Sequence, residues 1–259
     1  MSPTASPLPS PSPVPAGPAS ASRDLAVECR GVTKVYVEGE NEVHALRGVD
    51  LSARTGELLL LVGPSGCGKT TLLSVIAGIL DVTAGEVRVF GESVHEMTGG
   101  QKTEFRKRNI GFIFQQYNLL PTLTAAENVA VPLLIHGVKR RLAMEAAVAE
   151  LAEVGLGDRG NTLPKNLSGG QQQRVAIARS LVAHPRLIVC DEPTANLDGE
   201  TGGKVMEMLK RVAVARDRCI LLVTHDPRVY HYGDRIAEML DGRIIDVTEG
   251  RKDATPAYA

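Results

Sequence analysis

Two hydrophobic patterns alternate along the chain and predict strands in different environments. Apolar residues at every second position predict strands with one buried face, at Val27 and Cys29, at Val49, Leu51 and Ala53, and at Val87 and Val89. Continuous apolar runs predict parallel strands that are covered on both faces, and they span residues 58–62, 187–190 and 220–223. The chain is therefore predicted to combine a buried parallel sheet with a layer of antiparallel strands.

Helical spacing follows two of the continuous runs. Apolar residues three or four positions apart occur at Leu72, Leu73, Ile76 and Leu80, and again at Val205, Met208, Leu209 and Val212. Strands that alternate with helices in this way predict the α/β class. Between these segments the pattern becomes helical: Thr124 and Glu127 match a capping box, and an amphipathic helix over 142–154 is followed by Gly155. We place a helical insert at about residues 116–172.

The ends of the chain differ from its middle. Residues 1–22 are almost entirely Ser, Pro and Ala, a composition that buries too little apolar surface to order itself. We expect a disordered tail there, with a PxxP-type ligand at Pro7–Pro15 as the alternative. One globular domain is expected over 23–248, followed by a short tail at 249–259.

Charge and cysteine content exclude several classes. The 29 basic and 30 acidic residues nearly cancel, so no basic field predicts a nucleic-acid partner. The four cysteines show no metal-binding spacing and fit a reducing cytosol. The longest apolar run, 58–62, is far too short for a membrane span, and the N-terminal residues lack the features of a secretion signal. A role at a membrane would therefore require another chain to supply the membrane span.

A glycine-rich segment directly after the run 58–62 matches the phosphate-loop pattern of P-loop NTPases, with Thr71 opening a helical pattern. Its glycines let backbone N–H groups turn toward phosphate oxygens, Lys69 reaches the β- and γ-phosphates, and Thr70 ligates Mg²⁺. The alternative is a simple glycine-rich turn. The expected nucleotide-binding residues are Gly63, Pro64, Ser65, Gly66, Cys67, Gly68, Lys69, Thr70 and Thr71.

Three further polar residues follow the other two apolar runs. Asp191 ends a buried strand, where a carboxylate needs a cation, and Mg²⁺ held by phosphates would supply one. Glu192 would project toward the γ-phosphate and polarise the attacking water. His225 follows the run 220–223 at the same sheet edge, where open α/β sheets bind ligands. The alternatives are two solvated charges in a turn and a structural histidine.

A second motif decides which kind of ATP-driven protein the chain resembles. The signature segment, Leu167-Ser168-Gly169-Gly170-Gln171, lies about a hundred residues after the phosphate loop. With it, the sequence over about residues 25–247 resembles the ATP-binding subunit of ABC transporters. The resemblance implies ATP and Mg²⁺ as cofactors, a D-loop ending at Asp198, His225 as the switch histidine, and Tyr36 as the aromatic residue that stacks on adenine. Gln115 matches the glutamine that touches Mg²⁺ and senses the membrane partner, although Gln116 is adjacent.

The same resemblance implies a composite site. Ser168 precedes a helical stretch, so the signature segment is a second anion-binding surface, although Ser168 also fits an ordinary helix cap. In the family, two copies pack head to tail, and Ser168, Gly169, Gly170 and Gln171 of one copy close over the ATP that the other copy holds. The partners implied are a second copy of the chain and an integral membrane permease at the cytoplasmic face of the inner membrane.

Residues 36–46 and 111–121 resemble the lipoprotein-release and macrolide-efflux group of that family. This branch implies export or transmission of force to a permease with a large extracytoplasmic domain. Cell-division relatives share part of the pattern and remain an alternative, as does a soluble ABC ATPase. Repair ATPases of that class carry long coiled coils, and no heptad run exists here. Kinases and small GTPases share only the phosphate loop.

Overall fold

The computed structural model describes residues 25–39, 41–215 and 218–250. The tail expected at 1–22 lies outside this range, as does nearly all of the tail expected at 249–259. The strands are β1 (Leu25–Glu38), β2 (Asn41–Arg54), β3 (Leu58–Val62), β4 (Ala84–Val89), β5 (Glu92–Ser93), β6 (Ile110–Ile113), β7 (Leu187–Asp191), β8 (Cys219–Thr224), β9 (Arg235–Leu240) and β10 (Arg243–Glu249). The helices are α1 (Lys69–Ile76), α2 (Gly99–Asn109), α3 (Ala125–Ile135), α4 (Arg140–Glu153), α5 (Gly169–Leu181) and α6 (Gly199–Ala215).

Two sheets form the framework. An antiparallel sheet has the order β2-β1-β4-β5, and a larger sheet has the order β10-β9-β3-β8-β7-β6. In the larger sheet β3 pairs in parallel with β8 and β9, and β7 pairs in parallel with β6 and β8. This arrangement confirms the predicted α/β fold with an antiparallel layer. It also places the carboxyl ends of β3, β6, β7 and β8 at one edge of the sheet.

The continuous apolar run of β3 is explained by two hydrophobic cores that share this strand. Leu58, Leu60 and Val62 pack into a core with residues of α3, α4, α5 and α6. Leu59 and Leu61, on the opposite face, pack into a second core with α1 and the antiparallel sheet. Because successive side chains of a strand point to opposite faces, both sets must be apolar.

Helix α1 ends earlier than the apolar spacing predicts. Its last residue is Ile76, and Gly78 then adopts a left-handed φ of 64°. Leu80 therefore lies outside the helix and packs, partly buried, against the core between the sheets. A glycine in this conformation shortly after a helix is the usual way for a helix to end.

Helices α3 and α4 pack on each other and on α5, within the range predicted for the helical insert. The end of α5 lies directly on the core: a Cβ at Gly111 of β6 would stand 2.5 Å from the Ser180 carbonyl oxygen. Helix α5 therefore joins the insert to the larger sheet. The boundaries of the insert and of the domain remain predictions. Among the described residues, no helix has both the length and the apolar composition that crossing a membrane requires.

The capping box at the start of α3 gives a testable contribution to stability. Thr124 Oγ1 accepts a hydrogen bond from the Glu127 backbone N–H at 3.3 Å, and Glu127 Oε2 accepts one from the Thr124 N–H at 3.1 Å. We expect Thr124→Ala to lower the free energy of unfolding by about 1 kcal/mol and Tm by roughly 2–4 °C in a chain of this size. Differential scanning calorimetry checks this. The control is Thr122→Ala, at an exposed position two residues earlier, which should leave Tm unchanged; equal losses would contradict the capping role.

Candidate functional site

The phosphate loop connects the end of β3 to the start of α1 and depends on glycines. Gly63, Gly66 and Gly68 have φ values of 150°, 81° and 105°, which side chains strongly disfavour. A Cβ at Gly63 would stand 2.1 Å from the Met239 carbonyl oxygen, and one at Gly68 would stand 2.4 Å from the Ala45 carbonyl oxygen. The loop is therefore confined between β9 on one side and β2 on the other.

Lys69 is a buried cation at the centre of this loop. Its Nζ donates hydrogen bonds to the carbonyl oxygens of Gly63 (2.8 Å) and Pro64 (2.7 Å) and lies 3.7 Å from Cys67 Sγ. No carboxylate forms an ion pair with it among the residues that the structure describes. A desolvated ammonium group that lacks an anionic partner favours an anionic ligand in the space beside it.

Two carboxylates meet the loop from the end of β7. Thr70 Oγ1 lies 3.2 Å from both carboxylate oxygens of Asp191 and donates to them. Burial raises the pKa of the Asp191 carboxyl above its usual range, and the neighbouring Glu192 carboxylate acts in the same direction. This end of the site thus concentrates negative charge and oxygen donors.

Glu192 has a left-handed backbone conformation, and its side chain is directed toward His225. Its φ is 47°, its backbone N–H donates to the Val223 carbonyl oxygen at 3.0 Å, and its Oε1 lies 2.8 Å from His225 Nδ1. The Glu192 side chain is mostly buried, whereas that of His225 is mostly exposed. His225 therefore orients this carboxylate from the solvent side, at the carboxyl end of β8.

His225 and Glu192 line a smaller depression. Lys69, Thr70, Asp191 and Glu192 share a larger one, which we call the main cleft. Its volume is about 580 Å³, within the range of roughly 300–1,000 Å³ that is typical of ligand pockets. The predicted site residues in its wall are Ser65, Gly66, Cys67, Gly68, Lys69, Thr70, Thr71, Gln115, Asp191 and Glu192. Gly63 and Pro64 contribute indirectly, as the carbonyl partners of Lys69. Tyr36 is exposed outside this wall, with Lys34 Nζ 5.2 Å from its ring centroid, although its cross-strand neighbour Val43 belongs to the wall.

The rest of the wall comes from residues that the motifs did not identify. They are Val43, His44, Ala45 and Arg47 of β2, and Asp241 and Gly242 of the turn between β9 and β10. Both turn residues have positive φ, 46° and 76°, as a two-residue type I′ hairpin requires. The Gly242 N–H donates to the Cys67 carbonyl oxygen at 3.0 Å, and its carbonyl accepts from the Arg47 N–H at 2.8 Å. The pair Asp241-Gly242 is a recognisable turn signal in the sequence, but no nearby residue indicates that this turn contacts the phosphate loop.

Sheet order divides the main cleft into two ends. The phosphate loop follows β3; β8, β7 and β6 lie on one side of that strand, and β9 and β10 lie on the other. Asp191, Glu192 and Gln115 therefore belong to one end, and Asp241 and Gly242 to the other. An extended ligand whose anionic group sits on the phosphate loop would direct its terminal phosphate toward the acidic end and its organic part toward the hairpin.

The signature segment lies outside this cleft. Ser168 caps α5: its Oγ accepts a hydrogen bond from the Gln171 N–H at 3.3 Å, and Gln171 Oε1 accepts one from the Ser168 N–H at 2.9 Å. Its neighbours are the D-loop and the start of α6, since a Cβ at Gly169 would stand 3.9 Å from the Asn196 carbonyl oxygen and one at Gly170 would stand 2.4 Å from Thr201 Cγ2. Asp198 Oδ1 accepts a hydrogen bond from the Thr201 N–H at 2.9 Å and so caps α6. One chain thus keeps its two predicted anion-binding surfaces apart.

The donor set at the acidic end fits Mg²⁺. The Thr70 hydroxyl and the Asp191 carboxylate are in contact, and the Gln115 side chain lies in the same wall. All three present oxygen atoms, which Mg²⁺ prefers, together with the oxygens of substrate phosphates. The described residues contain no cluster of three or more His, Cys, Asp or Glu that could hold a metal ion.

Cys67 lies in the phosphate loop, and we expect chemical modification of its thiol to block phosphate binding. Its Sγ lies in the loop interior, 3.7 Å from Lys69 Nζ and 3.0 Å from where a Cβ on Gly63 would stand. An adduct has no room there without displacing the loop. We expect maleimide modification at Cys67 to abolish ATP binding, and bound ATP to slow the modification. Intact-protein mass spectrometry together with a binding titration measures both effects.

The other cysteines are poor competitors for the reagent. Burial raises the pKa of the Cys29 thiol to about 12 and also raises those of Cys190 and Cys219, which keeps all three protonated and unreactive. Cys67→Ser is the control and should bind ATP after the same treatment. Full binding by a chain that is modified at Cys67 would show that the loop tolerates the adduct.

Comparison with known proteins gives a consistent result. Residues 46–195 match the model of the family described as ABC transporter. The lipoprotein-releasing system ATP-binding protein LolD of Chromohalobacter salexigens is 43% identical over 229 residues, covering 88% of this chain and 97% of the relative. The macrolide export ATP-binding/permease protein MacB of Aggregatibacter actinomycetemcomitans is 41% identical over 226 residues, which cover 87% of this chain and 35% of that longer protein.

A solved structure agrees with these relatives. The dimeric ATP-binding cassette MJ0796, in a post-hydrolysis state bound to ADP and Pi, superimposes with a TM-score of 0.81 at 38% sequence identity. The match covers 87% of this chain and 99% of that one.

Proposed function

Since the chain belongs to the ABC transporter family and is an ATP-binding ABC ATPase, we propose that it is the separate ATP-hydrolysing subunit of an exporter. Two copies close head to tail around ATP and Mg²⁺ and drive an integral membrane permease. The permease would span the inner membrane, with this chain bound peripherally at its cytoplasmic face. The cargo would then be selected by the permease.

The observation that carries the proposal is the separation of the two anion-binding surfaces. Ser168 and Gly170 lie at the N-terminus of α5, outside the main cleft that holds Lys69 and Thr70. A helix N-terminus with glycine N–H groups favours an anion. A phosphate group bound at the phosphate loop of the same chain would not reach this helix N-terminus. A second copy in head-to-tail orientation supplies the missing half to each site, because a two-fold interface uses each surface twice.

The residues of the main cleft have complementary roles in hydrolysis. Lys69, released from the Gly63 and Pro64 carbonyl oxygens, would bind the β- and γ-phosphates. Thr70, Asp191 and Gln115 would hold Mg²⁺, which supplies positive charge to the phosphate oxygens. Glu192 would accept a proton from the attacking water, and His225, 2.8 Å away, would keep its carboxylate in position.

The branch within the family is supported by relatives of two kinds. This chain covers 97% of a lipoprotein-releasing ATP-binding protein but 35% of a macrolide export protein that joins ATP-binding and permease parts. Both relatives belong to the lipoprotein-release and macrolide-efflux group that residues 36–46 and 111–121 resemble. We infer a permease with few spans and a large extracytoplasmic domain.

Copurification tests this assignment. Tagged Glu192→Gln chain is held with Mg-ATP in detergent-solubilised membranes of its source cells, and the retained proteins are identified by mass spectrometry. The control is Glu192→Gln combined with Lys69→Met, which should fail to close around ATP. We expect an integral membrane protein of the described type that is enriched by ATP and absent from the control.

The other outcomes are equally informative. A partner with many membrane spans would overturn the branch and indicate a conventional transporter. Recovery of the chain from the soluble fraction alone, as a homodimer or with ribosomes or DNA, would overturn the transport role while leaving the ATPase intact.

A further inference from the structure

The segment that leads from β6 into the helical insert has an unusual backbone. Tyr117 and Asn118 are consecutive non-glycine residues in the left-handed region, with φ values of 56° and 47°. Such residues persist in this conformation only where neighbouring groups impose it. The segment begins at Gln115, which lies in the wall of the main cleft. A contact that holds the backbone of Tyr117 and Asn118 in place therefore also restricts the position of Gln115, which begins the same segment.

Arg179, in the last turn of α5, supplies that constraint. Its two terminal nitrogens donate to consecutive carbonyl oxygens, one to Asn118 at 2.6 Å and the other to Tyr117 at 2.7 Å. Burial lowers the pKa of the Arg179 guanidinium below its usual value, and no carboxylate pairs with it among the described residues. The planar fork of arginine gives each carbonyl oxygen its own nitrogen, at the end of a longer side chain, and lysine with its single nitrogen does not reproduce that arrangement.

The Tyr117 side chain extends the same constraint to the other end of α5. A Cβ at Gly169, in the first turn of the helix, would stand 3.0 Å from Tyr117 Oη. Arg179 and Gly169 are ten residues apart, about 15 Å along a helix. The Arg179 side chain and Tyr117 together therefore connect the last turn of α5 with the signature segment at its start.

A third contact joins the D-loop to this arrangement. Asn196 Nδ2 donates to the Gln115 carbonyl oxygen at 3.1 Å, and the Asn196 carbonyl oxygen lies 3.9 Å from where a Cβ on Gly169 would stand. The segment Gln115–Asn118 thus contacts the wall of the main cleft, the signature segment and the D-loop. These are the surfaces that a closed dimer must present together.

We propose that Arg179 is a positioning residue, which fixes Gln115–Asn118 against α5 so that the signature segment is oriented for the ATP of the second copy. This inference rests on the proposed ATP-bridged dimer and assigns the residue that sets its geometry. Arg179 touches neither ATP nor the reacting atoms in this role. Its loss should therefore spare ATP binding by one copy and impair closure of two.

The test compares two arginines on the same helix. Arg179→Lys keeps the charge and removes the fork in which each carbonyl oxygen has its own nitrogen donor. Arg174→Lys is the matched control, since Arg174 also donates to a backbone carbonyl, that of Val154 at 3.2 Å, but away from the segment Gln115–Asn118. Each substitution is made in the wild-type chain and in Glu192→Gln. The readouts are the affinity for a fluorescent ATP analogue, ATP-dependent dimerisation by analytical ultracentrifugation, kcat and Tm.

For Arg179→Lys we expect analogue affinity within about twofold of the parent, together with at least about tenfold weaker dimerisation, about 1.4 kcal/mol, and a comparable loss of kcat. Arg174→Lys should dimerise normally even if its Tm falls equally. Tyr117→Ala is a second variant, which leaves the Arg179 contacts to backbone carbonyls in place. It should reproduce the dimerisation defect, and it keeps the test valid if Arg179 variants fail to fold.

Two results would overturn the inference. One is normal dimerisation and turnover by Arg179→Lys and Tyr117→Ala. The other is an equal defect in Arg174→Lys, which would mean that α5 matters only through general stability. Failure of the Glu192→Gln parent to dimerise with ATP would instead contradict the proposed dimer, so the two failures are distinguishable.

Discussion

Replacing Glu192 by Gln is expected to lower ATP turnover by at least about 100-fold, the smallest contribution usual for a general base. The amide cannot accept the proton of the attacking water, yet it has nearly the same shape as the carboxylate. Lys69, Thr70 and the phosphate loop are unchanged, so ATP binding should persist. In the proposed cycle hydrolysis reopens the dimer, so the variant should accumulate as a stable ATP-bound dimer.

Two measurements separate these effects. Phosphate release under steady-state conditions gives turnover, and analytical ultracentrifugation with and without Mg-ATP gives the dimer fraction. Glu200→Gln is the matched control, since it makes the same carboxylate-to-amide change at an exposed residue that pairs with Lys204, away from the main cleft. Turnover at the wild-type rate by Glu192→Gln would show that another group, or water alone, accepts the proton.

Mixing two inactive variants is expected to restore ATPase activity. Lys69→Met removes the phosphate-loop cation, and Ser168→Arg places a bulky side chain at the signature segment. Each variant alone should lose nearly all activity, because every composite site of its homodimer lacks one half. In a mixed dimer both lesions fall in one site, and the other site combines an intact phosphate loop with an intact signature segment.

The size of the recovery follows from pairing statistics. Random pairing makes about half of the dimers mixed, each with one sound site of two, so up to roughly a quarter of wild-type activity should return if the sites act independently. The control is a chain that carries both substitutions, which should remain inactive at the same total concentration. A mixture no more active than its components would argue against a site shared between copies, and each chain would then act alone.

The arrangement of residues at the acidic end could be predicted because its signals are local. Asp191 follows an apolar run directly, His225 follows another after one residue, and Lys69 follows the run 58–62 through the glycine-rich loop, so each strand and its candidate residue are read together. Parallel pairing of β3, β7 and β8 then brings the three strand ends to one edge. No knowledge of the rest of the chain was needed for that inference.

The hairpin end could not be predicted for the opposite reason. Arg47 and Gly242 are nearly two hundred residues apart, and only the position of β9 beside β3 brings them to the phosphate loop. The alternating pattern predicts that β2 is half buried but does not indicate which loop it faces. The contacts of Arg179 could not be predicted from the sequence either. Its partners are the backbone carbonyls of Tyr117 and Asn118, and every residue type provides a backbone carbonyl.

The hydrogen bond from the Gly242 N–H to the Cys67 carbonyl oxygen has a consequence for synthesis of the chain. The phosphate loop leaves the ribosome early, but the backbone that confines it, at Met239 and Gly242, is made about 170 residues later. At roughly 5–20 residues per second, that interval lasts on the order of 10–30 seconds. We expect nascent chains that end before β9 to have no measurable ATP affinity. ATP capture would therefore mark completion of the fold, so that chains still in translation do not compete for nucleotide or for the permease.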